Sequence, residues 1–191
     1  PPSPSGSPLS PSVSSGAPNK DSRGASDGPS DRTTTVGGRK MQYVYKSGRL
    51  KTVRSFYPTG ELAVNAEMKG EFISPTNPSR IQLQSYHIKS GVETRYTKDG
   101  VITETITYLD NILHGPITKY YPDGQPKIKS EYKNGQRHGL DRQWYDNGQL
   151  MSQSNYVNGQ IDGEAPYYSR DGKLEGKVVY RMGKKVDHVR Y

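Results

Sequence analysis

From about residue 100 to residue 183, apolar and polar positions alternate in short stretches and never settle into a helical period. Counting by twos gives Leu150, Ser152, Ser154, Tyr156 in one stretch and Leu174, Gly176, Val178, Tyr180 in a later one. Earlier stretches give Pro126, Ile128, Ser130, Tyr132 and Ile102, Glu104, Ile106, Tyr108. Each reads as one face of a strand, with an apolar start, mostly small residues in the middle and a Tyr at the end. Glu104 breaks the pattern in the first unit and is read as marking the edge of that unit. Glycine recurs too often for a series of helices.

The pattern has a fixed length. Tyr108, Tyr132, Tyr156 and Tyr180 lie 24 residues apart, as do Gly100, Gly124, Gly148 and Gly172, and Gly115, Gly139 and Gly163. Three whole units follow one another without insertion: YLDNILHGPITKYYPDGQPKIKSE, YKNGQRHGLDRQWYDNGQLMSQSN and YVNGQIDGEAPYYSRDGKLEGKVV. A fourth, YRMGKKVDHVRY, stops halfway. Within each unit, Asp-Gly and Asn-Gly pairs supply the residues that tolerate the positive backbone angles of tight hairpin turns. The expected order is strand 116–121, turn 122–125, strand 126–132, turn 133–139 and strand 140–145. Stacking of similar units turns each repeated spacing into a ladder, so the fold class is all-β: an elongated, solenoid-like antiparallel β-hairpin array.

Residues 96–191 carry the regular repeat. Residues 39–95 are a degenerate version, in which Tyr45 and Tyr57 stand before Gly48 and Gly60 as Tyr145 stands before Gly148. Within them, ISPTNPSR (73–80) interrupts the pattern with two Pro and reads as an inserted loop. Residues 1–38 hold seven Pro, ten Ser and six Gly and no aromatic residue, so they read as a disordered N-terminal leader or tether.

Composition narrows the function. Fifteen Tyr stand against two Phe and one Trp, which suits a thin sheet where a ring is covered and its hydroxyl stays wet. Cys is absent, which removes disulfides and thiolate chemistry. The net charge of +8 is dispersed, with ten Lys/Arg against six Asp/Glu over 40–107 and balance over 108–179. That favours an acidic partner or an anionic membrane surface, and the neutral repeats argue against nucleic acid. No apolar stretch is long enough to span a bilayer.

The arrangement YxNGxxxGxxxxWYxNGxL resembles the MORN-type repeat, in the variant of bacterial multi-repeat proteins that carry an antitoxin-like label. The resemblance rests on Tyr108, Tyr132 and Tyr156, on Gly115, Gly139 and Gly163, and on the pairs Tyr120-Tyr121 and Trp144-Tyr145. The closing Gly124, Gly148 and Gly172 complete it. Asn111 stands where Gly135 and Gly159 stand, Asp187 replaces the mid-unit glycine, and Tyr167-Tyr168 sits one place early. The resemblance implies a run of hairpins that serves as a scaffold for protein or membrane contacts.

Candidate chemistry is sparse. His114 and His138 fall one repeat apart with Asp162 in the next place, yet a separation of roughly 10 Å is too wide for one metal. They read as polar side chains lining turns. Asp99, Asp123, Asp146 and Asp171 sit in turns, and Ser152 and Ser154 stand beside no His, so neither an enzyme nor a cofactor is expected. Tyr120, Trp144 and Tyr168 form an aromatic column that is either core or an exposed platform, with Arg137, Arg142 and His138 as its polar rim. The strand edge at VDHVRY is open to a partner strand, with Lys184, Lys185 and Arg190 guarding it. The reading is a non-catalytic scaffold for protein–protein interaction, tethered in the periplasm or on the outer surface within an envelope assembly. A neutralising antitoxin and a carbohydrate- or lipid-binding module are the alternatives.

Overall fold

The computed structural model describes residues 31–46, 49–69 and 88–191. They form a single open sheet of fourteen strands, with no helix among the described residues. The first block is β1 (Arg32–Val36), β2 (Arg39–Lys46), β3 (Arg49–Phe56) and β4 (Leu62–Lys69). The second is β5 (Ile88–Tyr96), β6 (Ile102–Leu109), β7 (Ile112–Tyr120), β8 (Pro126–Lys133), β9 (Gln136–Trp144) and β10 (Leu150–Val157). The last is β11 (Gln160–Ile161), β12 (Gly163–Tyr168), β13 (Leu174–Arg181) and β14 (Lys184–Arg190). Spatial order follows chain order, every pairing is antiparallel, and β11 and β12 both lie against β10. β1 and β14 end the sheet, and Lys184, Lys185 and Arg190 stand on that last edge as expected.

Two kinds of turn alternate. The two-residue turns Asn134–Gly135 and Asn158–Gly159 have positive φ at both positions, the geometry that joins twisted strands most tightly. Asp110–Asn111 does the same with φ of 51° and 68°, so Asn111 replaces the glycine without altering the turn. On the opposite side of the sheet, five-residue connections close with paired backbone bonds. In one of them Gly124 N–H donates to Tyr121 O at 2.9 Å, and Tyr121 N–H donates to Gln125 O at 2.8 Å. Adjacent two-residue turns are also tied together, Gly135 N–H to Leu113 O at 2.9 Å and Gly159 N–H to Arg137 O at 2.8 Å.

Several expectations shift. The turn expected at 133–139 is only Asn134–Gly135, and β9 runs straight through Gly139. Gly139 is a bulge residue with φ 101°, and a Cβ there would meet Glu131 Cβ at 3.3 Å. The counted face starting at Leu150 is broken by a second kind of bulge. The register shifts between Leu150 and Ser152, so Leu150 pairs with Trp144 while Ser152 pairs with Gln143. Glu104 lies on β6 inside the sheet, held by Arg95 at 2.8 Å and Lys119 at 4.0 Å. β1 falls inside the segment read as leader. Three Thr and a Val give it β-branched side chains, and Gly37–Gly38 turns it onto β2. The interruption at 73–80 lies outside the described residues.

A single layer leaves little room for a core. Tyr43, Leu50, Ala66 and Met68 form the main apolar cluster, with Met41, Tyr45 and Val53 packed against it. Farther along, the central cross-strand row turns polar, from Glu93 through Ile106 and Ile117 to Ser130 and Asp141. Its buried carboxylates are paired, Glu93 with Lys89 and Arg95, and Asp141 with Ser130 and, at 3.8 Å, Arg137.

Candidate functional site

The two faces of the sheet carry different periodic features. On one, Tyr108, Tyr132 and Tyr156 stand directly opposite Gly91, Gly115 and Gly139 on the neighbouring strand, and Tyr180 stands opposite Gly163. Each of these glycines has a positive φ, and a Cβ at Gly91, Gly115 or Gly139 would meet Glu67, Thr107 or Glu131 on the strand before, so the strand needs glycine at the step opposite each tyrosine and both spacings repeat together. Gly91 belongs to this column and precedes Gly115 by one unit, a signal present in the sequence but hidden by the irregular region before it. Arg137 bridges two of these rings. It donates to the hydroxyls of Tyr132 and Tyr156 at 3.3 Å each, and its guanidinium lies 5.2 Å from the Tyr156 ring centre. The Tyr132 bond above all, with that of Tyr156 and the Asp141 carboxylate, raises the Arg137 pKa against the opposing effect of burial.

On the other face stand Tyr120, Trp144 and Tyr168, all half-buried rather than enclosed. Each pairs with an apolar residue across the strand: Pro126, Leu150 and Leu174. Tyr96 joins the column through Ile102. Tyr168 therefore occupies the place of Trp144, and the apparent offset of Tyr167-Tyr168 arises because Tyr167 is an extra aromatic on the opposite face, where its hydroxyl meets His188 Nε2 at 2.9 Å. Arg142 shares the Trp144 face and donates to Gln153 at 2.8 Å. Arg137 does not, because it pairs with Tyr132 while Arg142 pairs with Lys129, three residues away on β8 and so on the other face.

His138 is separate from both. Its Nδ1 accepts the Asn158 N–H at 3.5 Å, and one unit later Asp162 accepts the Met182 N–H at 2.9 Å. These side chains serve the next turn of the ladder. His114, one unit before, has its Nδ1 buried with no partner among the described residues. Among the described residues no three His, Asp or Glu side chains converge into a metal-binding group. No helix among the described residues is long and apolar enough to cross a membrane.

A family model described as the MORN repeat variant matches residues 113–134, 137–158 and 161–182. The three windows fall at the spacing of the ladder and begin just inside β7, β9 and β11. No curated protein matches the chain. The strand order, the paired tyrosine and glycine columns and these three consecutive matches converge on one conclusion: residues 113–182 are three consecutive MORN-type repeats.

Proposed function

We propose that this protein is a non-catalytic scaffold that binds another protein, within an assembly to which its Pro- and Ser-rich leader tethers it. Repeats of this family generally serve as protein- or membrane-interaction scaffolds. The observation that carries the protein-binding reading is the half-buried column Tyr96, Tyr120, Trp144, Tyr168, repeated at even steps on a face that no second layer covers among the described residues. Large amphipathic rings of this kind dominate protein interfaces, and their repetition lets weak contacts add along the array. The polar groups that most resembled chemistry, His138 and Asp162, are engaged by backbone N–H groups of the next turn.

The test is chemical crosslinking of the full chain in native extract, with Trp144→Ala as the comparison. A partner recovered by the parent and lost from a variant that melts at the same temperature supports the reading. Recovery of the same proteins by both chains overturns it.

A further inference from the structure

The Trp144 face has a second periodic feature beside its aromatics. A continuous row crosses the sheet with one residue per strand from β5 to β10: Thr94, Thr105, Thr118, Lys129, Arg142 and Gln153. Toward β3 it continues through Asn65 and Arg54. The row contains no Asp or Glu. Its members carry donors, and Arg142 donates its Nε–H to Gln153 Oε1 at 2.8 Å.

Every second member of the row lies two residues before an aromatic on the same strand: Thr94 before Tyr96, Thr118 before Tyr120, Arg142 before Trp144. Residues at that spacing project on one face. Neighbouring strands lie ~4.8 Å apart, so an aromatic recurs every ~9.6 Å along the sheet beside a line of donors. A polyproline II helix rises ~3.1 Å per residue with three residues per turn, which advances ~9.3 Å per turn. The mismatch is only ~0.3 Å per step, or about 1 Å over four aromatics. A fully extended peptide advances ~6.8 Å per two residues and loses register within one step.

The chemistry agrees with the period. Polyproline II has no internal hydrogen bonds, so its carbonyls require outside donors, and its proline rings pack against aromatic side chains. Lys129 lies 3.9 Å from Glu131, two residues on and so on the same face, whereas Arg142 is bonded to the neutral Gln153, so it is Arg142 that favours neutral or acidic residues between the prolines.

We propose that this face is a docking track for a proline-rich partner segment, with Pro at every third residue and neutral or acidic residues between, lying across the strands along Tyr96, Tyr120 and Trp144. This rests on the protein-binding reading above and names the class of partner.

Trp144 is the only tryptophan, so its emission reports on the track directly. The probe is a peptide of about twelve residues, four polyproline II turns, with Pro at every third position and Glu or Ala between. Titrated into the full chain, it is expected to change Trp144 emission saturably. A peptide of the same composition with Pro at every fourth position is expected to bind at least about tenfold more weakly. With fluorescently labelled peptide, Tyr120→Leu and Arg142→Gln are each expected to weaken binding by about threefold or more at unchanged circular dichroism. Equal affinity for the two peptides overturns the proposal, and that comparison needs no variant. A response to cellohexaose but not to the peptide would put a glycan on the track and overturn it as well. If the peptide fails while Trp144-dependent crosslinking persists, the scaffold reading stands and only the proline-rich partner is lost.

Discussion

The hydroxyl of Tyr121 donates to the backbone carbonyl of Trp144 at 2.8 Å, fastening a five-residue turn to the strand end of the following unit. Tyr145 repeats the bond to Tyr168 at 2.9 Å, and Tyr57 makes it to Tyr96 at 2.8 Å. In Tyr120-Tyr121 and Trp144-Tyr145 the second aromatic is thus a clamp, while the first carries the half-buried column. Tyr145→Phe is expected to cost about 1 kcal/mol, the usual net worth of such a bond. A lower urea midpoint at unchanged slope is the readout, and an unchanged midpoint refutes the clamp.

Met182 holds a left-handed backbone, φ 48°, at the place where Asn134 and Asn158 stand with φ of 51° and 49°. Asn adopts that conformation more readily because its short polar side chain bonds locally. Met182→Asn is expected to stabilise the last hairpin by about 1 kcal/mol, within the range of the left-handed penalty. Hydrogen exchange of β13 and β14 amides measures it, and faster exchange would contradict the strain argument.

The Tyr45 hydroxyl is buried without a hydrogen-bond partner among the described residues, and burial raises its pKa above 10.0. Tyr45→Phe removes an uncompensated desolvation and is expected to add about 1 kcal/mol at neutral pH. A raised folded pKa means that the associated stability is intact below 10.0 and is lost as pH climbs through the folded value. The parent should therefore weaken more than the Phe variant in alkaline melts, and parallel curves would exclude this group as the cause.

Gly176 has an ordinary backbone angle, yet a Cβ there would collide with the Val189 carbonyl and the Tyr167 ring. Its bareness is what lets Tyr167 reach His188. Gly176→Ala is expected to cost about 2 kcal/mol through overpacking and to break the Tyr167–His188 bond. Imidazole nitrogen shifts of His188 read the bond separately from the melt, and retention of both would refute the collision.

The ladder is legible in the sequence because Asn, Asp and Gly fix the turns locally, and each turn sets the register of the two strands it joins. Faces are legible only up to the bulges. Met151 is the extra residue that gives Leu150 to Trp144, and an apolar residue beside another leaves no trace in an alternation count. Arg137 and Arg142, five residues apart, fall on opposite faces by alternation alone, so grouping them around one platform by residue type passes over a signal the sequence carries. Tyr167-Tyr168 looks misplaced in the sequence because two adjacent aromatics give no sign of which one keeps the column. β1 escapes a compositional reading because its Thr-rich run is short and follows a long stretch dominated by Pro, Ser and Gly.

Because spatial order follows chain order, a load applied to the first and last strands passes through every pairing in series. The bonds of an outer strand would then open in succession, as in a peeled strip, instead of shearing together. Each released unit of 24 residues would lengthen the chain by roughly 80 Å at the reach of an extended backbone, so the molecule would yield in small, even increments under tension.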